Sequence, residues 1–427
     1  MNILKDIPEL IKAGVITQVT ADNIQNYYEN KGGSSSKRLF IVFGVLGAIL
    51  VGLGLILIIA HNWDELARST KTFFAFLPLL LGQLLCGFTL IKKEDSTAWK
   101  ESSAAFLFFA VGASIALVGQ IYNIPGNVSA FIVSWMLLCL PLIYLLKSSI
   151  ASLLYLLGIT YYACVNGYGA YPPVVCYEFW VLMIAALPHY YQLYKKQPKS
   201  NFIIFHNWLV PMSLVISLGT VIHNTEEFLF IAYFSLFGLF YLIGDISFFS
   251  PQKLRNNGYK IIGILGSVGL LLAFSFDFLW EHIREKDFQF KHEMYSPEFL
   301  AAIIITLLAM VLLYLQQKNK PLRDMAPLKP MFILFFISYM IGMYSSISVV
   351  LINLFVFVLG ILTIWQGTRK DHLGILNYGL LIITALVICR FFDSDLNFII
   401  RGVLFISVGV GFFTTNYWML KKRKTNE

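Results

Sequence analysis

LFIVFGVLGAILVGLGLILIIA, residues 39–60, holds 22 residues without a charge. As a helix rising about 1.5 Å per residue it is about 33 Å long, enough to cross a hydrocarbon core of about 30 Å. Lys37 and Arg38 stand before it, and Asp64 follows its far end. Working outward, apolar runs of this kind recur along the chain, about fourteen in all. They are Leu39–Ala60, Thr72–Ile91, Ser103–Gln120, Val128–Leu146, Ile150–Val165, Phe179–Tyr194, Phe202–Ile222, Phe228–Gly244, Tyr259–Phe278, Phe299–Leu315, Met331–Met343, Ile347–Trp365, Leu373–Cys389 and Phe398–Leu420. Met331–Trp365 is long for one span and short for two; Tyr344-Ser345-Ser346 marks the division.

Charge placement turns these runs into a topology. With connecting loops assigned alternately to two sides, one side collects 25 of the 32 Lys and Arg and the other only 7. Counting acids as well, the two sides carry +14 and −6. Loops on the cytosolic side of a membrane accumulate Lys and Arg, so both termini are expected there. Composition agrees. Hydrophobic residues make up 58% and charged residues 13%, against about half and about a quarter in soluble domains. The net charge of +8 lies in membrane-flanking loops, so it does not indicate nucleic acid. The expected fold is an all-α, polytopic membrane helix bundle of about 14 transmembrane helices, N-in and C-in, with a small cytosolic helical hairpin at the N-terminus. The bilayer is its expected surroundings. No cleavable signal peptide is visible, and Leu39–Ala60 is expected to act as an uncleaved anchor.

Three regions follow: 1–38, a helical hairpin and linker; 39–148, a first four-span unit; and 149–427, ten further spans. In the hairpin, Ile7, Leu10 and Ile11 share a helical face, Gly14 suits a helix end, and Thr17 suits the cap of a second helix. Lys31-Gly32-Gly33-Ser34-Ser35-Ser36 has the composition of a flexible linker. Such a hairpin is too small to fold alone, so residues 1–30 suit docking on the membrane surface, on inner loops or on a cytosolic protein partner. In the first span Gly44, Ala48 and Gly52 recur every four residues and predict a close helix contact.

The first 150 residues also carry a resemblance. Ile7–Tyr28 (IPELIKAGVITQVTADNIQNYY), the glycine-rich first span ending in Ala60-His61-Asn62-Trp63-Asp64, and Gly119-Gln120-Ile121-Tyr122-Asn123-Ile124-Pro125-Gly126 resemble a bacterial family, domain of unknown function 2157. The resemblance implies a multi-pass protein of the bacterial cytoplasmic (inner) membrane. It implies no activity and supplies no catalytic residue.

Polar groups near the apolar runs are the candidates for function, because an ionisable residue in lipid is costly. Gln83 and Asn353 lie near midplanes, where interhelical hydrogen bonding is the simplest role. His61, Asn62 and Asp64, at the outer end of the first span, suit a ligand or a plain helix end. Gln120, Tyr122 and Asn123 lie in an outer turn and offer donors and acceptors to a sugar or headgroup. Arg390, Asp393, Asp395 and Arg401 form an outer set against the cation rule, joined by Asp277 if spans nine and thirteen adjoin. Their alternatives are a static ion-pair network and a vestibule for an anionic or zwitterionic substrate. The outer loop Trp280–Pro297 mixes His and carboxylates, but its spacing matches no zinc motif. Asp245 and His189 each stand alone at inner ends. Cys164 and Cys176 flank one outer loop, where a disulfide is chemically feasible.

No P-loop, His-Glu-x-x-His, Gly-x-Ser-x-Gly or paired CxxC occurs. No catalytic residue, metal site or cofactor is assigned. Three functions fit: a transporter or flippase-like permease for a small or lipid-linked substrate; a non-catalytic scaffold or sensor acting through the hairpin; and a membrane enzyme working on a lipid-linked substrate at the outer face. They rank in that order.

Overall fold

The computed structural model describes residues 3–24, 66–169, 175–221, 227–250, 252–284, 295–321 and 324–391, with parts of 39–57 and 397–417. Among these residues every regular element is helical. The helices are α1 (Ile3–Lys12), α2 (Arg68–Lys92), α3 (Thr97–Ile121), α4 (Val128–Leu145), α5 (Ser149–Gly167), α6 (Tyr177–Lys196) and α7 (Asn201–Leu218). There follow α8 (Glu227–Gly244), α9 (Gly258–Ala273), α10 (Phe278–Arg284), α11 (Pro297–Gln317), α12 (Met331–Gly342), α13 (Ile347–Arg369) and α14 (Leu373–Phe391).

Twelve of the fourteen expected runs coincide with these helices, give or take a few residues. The first and last runs are described in part, and their described residues are helical. Nine helices among the described residues are long and apolar enough to cross a membrane, or ten if α9 and α10 form one bent span. Helices of this composition have a lipid environment. The division of Met331–Trp365 falls where the serines stand, between α12 and α13. At 12 residues, α12 extends only about 18 Å. The run Tyr259–Phe278 is not one straight helix: α9 stops at Ala273, and α10 leaves at 78°. Residues 278–284 are therefore helical rather than part of an outer loop, and Trp280 is fully buried.

The N-terminal expectations hold locally. Gly14 takes a φ of +69°, which favours glycine, and closes α1. Its amide bonds to Ile11 O and that of Val15 to Leu10 O. Thr17 Oγ1 then accepts from Thr20 N, capping the helical residues 18–24. A Cβ added at Gly44 would meet Ser102 Oγ at 2.8 Å, so this glycine of the small-residue repeat faces the chain near α3. Ala48 and Gly52 lie outside the described residues.

The chain divides into two compact units: residues 1–162 with 181–198, and residues 163–180 with 199–427. Lipid offers no hydrophobic drive between helices, so their contacts rely on packing and interhelical hydrogen bonds. In the first unit Ser114 Oγ donates to Ala75 O at 2.7 Å and Trp135 Nε1 to Phe108 O at 2.8 Å. The same unit buries Glu101, which the sequence presents as a loop charge. Glu101 Oε2 accepts from Ser148 Oγ (2.6 Å) and Ile150 N (2.8 Å), and Oε1 from Ser149 N (3.0 Å). All three contacts are donated to the carboxylate, which thereby satisfies the open amides at the start of α5.

In the second unit Ser235 and Thr306 join α8 to α11 through their hydroxyls at 2.6 Å. Phe234 and Phe335 stack at 4.1 Å. Asp245, expected to stand alone, instead binds two cations, Lys260 Nζ at 2.5 Å and Lys329 Nζ at 3.0 Å. Burial by itself would push its carboxyl up, but the Lys260 hydrogen bond and the charges of Lys260 and Lys329 outweigh this and hold it below the usual range. His206-Asn207-Trp208 has a structural job. Asn207 Nδ2 donates to Asn256 O and Trp208 Nε1 to Arg255 O, fastening the segment before α9.

Candidate functional site

The second unit places a polar group at the break between α9 and α10. Phe274, Ser275, Phe276 and Asp277 occupy the break; Asp277 O already accepts from Trp280 N and Glu281 N as α10 begins, whereas the carbonyls before it lose the regular helical ladder. Neighbouring side chains supply some of those bonds. Trp280 Nε1 donates to Phe274 O at 2.8 Å, and Asn353 Nδ2, from α13, donates to Ser275 O at 2.9 Å. Asn353 also donates to Val349 O within its own helix. The interhelical role expected of Asn353 is thus the one observed. Gly342 at the end of α12 leaves room for Trp280, since a Cβ there would overlap the indole. Phe274, Phe335, Tyr339 and Trp280 form an aromatic bed beneath the break.

Arg390, from the end of α14, reaches the same place. Its Nη2 lies 3.2 Å from Ser275 Oγ, and its guanidinium sits over the Phe276 ring at 4.6 Å. Spans nine and thirteen do adjoin here, the condition set for Asp277 to join Arg390. Asp277 nonetheless pairs with Arg284 at 2.7 Å. The arrangement comprises a cation, a hydroxyl, an amide and irregular backbone beside an aromatic bed. Asp393, Asp395 and Arg401 lie outside the described residues, as do His61, Asn62 and Asp64.

The first unit has a second candidate, a groove of about 1030 Å³ between α2, α3 and α4. Its walls are mainly apolar, with Gln83, Ser114 and Ser134 as polar points. Gln120 ends up in the last turn of α3, and Tyr122 and Asn123 in the turn that follows and closes one end; these three residues do not line the groove, whereas Gly119, Pro125 and Asn127 do. Tyr122 meets Thr72 Oγ1 at 3.2 Å and the Arg68 guanidinium at 5.9 Å. Asn123 takes a positive φ of 47° in the turn, and Asn127 caps α4 by accepting from Ala130 N at 2.6 Å. The predicted trio therefore shapes the turn rather than the groove wall.

Sequence reading missed Glu227 and Glu298, buried carboxylates in the first turns of α8 and α11. Each opens a strongly apolar helix, a position usually exposed to water, and that was the only available signal. No group of three His, Cys, Asp or Glu residues suited to a metal occurs among the described residues. The five cysteines are free thiols, so Cys164 and Cys176 are not bridged.

Comparison with curated proteins and with solved structures returns no match. The resemblance carried by the hairpin, the first span and the Gly119–Gly126 turn is borne out: residues 8–152 match the model of a family described as predicted membrane protein (DUF2157).

Proposed function

We propose that this protein is a permease of the bacterial cytoplasmic membrane, with the break between α9 and α10 as part of its substrate path. The observation that carries this reading is the 78° bend with Ser275, Asn353 and Arg390 gathered at it. Transporters place substrates at discontinuous helices, where irregular backbone is tolerated because it lines a cavity or is met by neighbouring side chains. Arg390 selects for an anionic or zwitterionic group. A small organic anion and a lipid headgroup share that chemistry. The full reading has fourteen spans, both termini in the cytosol, and the N-terminal hairpin available to a cytosolic protein.

Reconstitution tests it. Proteoliposomes holding entrapped carboxyfluorescein and NBD-labelled phosphatidylglycerol report anion efflux and lipid flipping separately. At least one rate should exceed that of protein-free vesicles. Arg390→Ala should lower that rate about tenfold, the effect of losing about 1.4 kcal/mol of a charge-assisted contact. Arg390→Lys should retain part of it. Rates equal to empty vesicles with both probes, or an Arg390→Ala rate equal to wild type, would refute the proposal.

A further inference from the structure

A separate groove of about 630 Å³ runs along α13 in the second unit, bounded by the 324–331 segment and the start of α12. Leu334, Leu354, Val358 and Leu362 make its wall apolar, and Leu354 is 51% exposed. One end is different. Trp365, Arg369 and Lys370 gather there with Asp324. Arg369 Nη1 lies 3.3 Å from Asp324 Oδ1, and its guanidinium lies over the Trp365 ring at 5.6 Å. Two cations against one carboxylate leave this mouth positive. From Leu354 to Arg369 the helix rises about 22 Å at ~1.5 Å per residue, about three quarters of a hydrocarbon core of about 30 Å.

We infer that this groove seats one anionic glycerophospholipid, its phosphate at Arg369 and Lys370 and one acyl chain along Val358 and Leu354. An apolar face alone would be met by any lipid tail. The positive mouth supplies the selection, because basic pockets at helix ends attract anionic headgroups. A tryptophan beside that mouth matches the depth at which headgroups meet hydrocarbon. Asp324 competes with the phosphate for Arg369, so it sets the affinity as well as holding the arginine in place. The inference is independent of the transport reading and needs no assignment of leaflet.

Native mass spectrometry of the full chain in detergent, titrated with phosphatidylglycerol and with phosphatidylcholine, measures this directly. Wild type should retain phosphatidylglycerol about tenfold more tightly than phosphatidylcholine. Glycerol 3-phosphate, which has the phosphate but no chains, should not displace it. Arg369→Gln with Lys370→Gln should abolish the preference. Asp324→Asn should strengthen phosphatidylglycerol binding several-fold (on the order of one released surface charge), a gain that misfolding cannot produce. Leu354→Trp, which fills the wall, should weaken both lipids. Equal retention of the two lipids by wild type, displacement by glycerol 3-phosphate, a preference that survives the double substitution, or weaker binding in Asp324→Asn would each overturn it. So would a dimer that excludes lipid from the groove.

Discussion

Replacing Glu101 tests the packing logic of the first unit most directly. Its carboxylate accepts from Ser148 Oγ, Ser149 N and Ile150 N at 2.6, 3.0 and 2.8 Å. Glu101→Gln keeps the size but puts an NH2 against at least one of these donors. One charge-assisted bond, about 1.5–3 kcal/mol, is lost, with a further contribution of up to about 1 kcal/mol from the helix N-terminus. A cost of about 2–3 kcal/mol is expected. Glu101→Ala removes all three bonds and leaves the amides of Ser149 and Ile150 without this acceptor, at about 1–3 kcal/mol each. Ser148 Oγ still accepts from Ala151 N and keeps part of the cap. The expected loss is about 4 kcal/mol. Unfolding in mixed micelles with increasing dodecyl sulfate, followed by tryptophan fluorescence, measures both variants. Glu94→Ala, at an exposed position, is the control and should stay within about 0.5 kcal/mol of wild type. A double-mutant cycle with Ser148→Ala should give a coupling of about 1–2 kcal/mol. If Glu101→Ala lies within about 1 kcal/mol of wild type, or matches Glu94→Ala, the three bonds do not anchor α5 and the reasoning fails.

Other consequences can be measured with the same material. Asp245, held below its usual range by Lys260 and Lys329, stabilises the second unit fully above about pH 4. That contribution fades as pH falls through the lowered folded value, so an acid titration of unfolding should show a loss that Asp245→Asn lacks. Gly342→Val forces Cβ and its methyls into the Trp280 ring and should cost about 2–3 kcal/mol, with a shift in tryptophan emission; unchanged stability and emission would contradict the close approach. Cysteine labelling at residue 34 and residue 425 in spheroplasts should need membrane permeabilisation at both positions, and labelling of either in intact spheroplasts would break the proposed topology.

Hydropathy made most of this fold legible because, in lipid, a helix's length and composition are set by the solvent it crosses rather than by its neighbours. The runs for α2, α3 and α8 needed no tertiary knowledge. Glu101 was hidden because its reason for burial lies more than forty residues downstream, at the start of α5. Nothing in Thr97–Ser103 separates it from Lys100, which carries the same look of a loop charge. Asp245 misled for a related cause: both of its partners lie outside its own segment, one on α9 and one before α12. The break at 274–277 was invisible to a sliding window, since apolar and aromatic residues continue on both sides. Ser275 and Asp277 within that aromatic run were its trace. The turn read at Gly119–Gly126 begins only after Ile121, where α3 ends, and which of its residues face the groove depends on backbone direction, which composition does not encode.

A break in a membrane helix persists only where every polar group it exposes finds a partner, because lipid supplies none. At 274–277 two partners come from indole and amide groups that have no net charge and are fixed by packing: Trp280 under Gly342, and Asn353 on its own helix turn. Those bonds hold the bend. Arg390 and Ser275 Oγ differ, since a guanidinium over a phenyl ring and beside a hydroxyl can exchange partners at less cost than a buried backbone carbonyl can. On the proposed permease reading, stability and recognition fall to different side chains at one place. Asn353→Leu should therefore loosen the bend and lower stability, whereas Arg390→Ala should leave unfolding nearly unchanged while altering any solute dependence. Equal destabilisation by both substitutions would show that Arg390 is part of the frame, and the permease reading would lose the residue on which it rests.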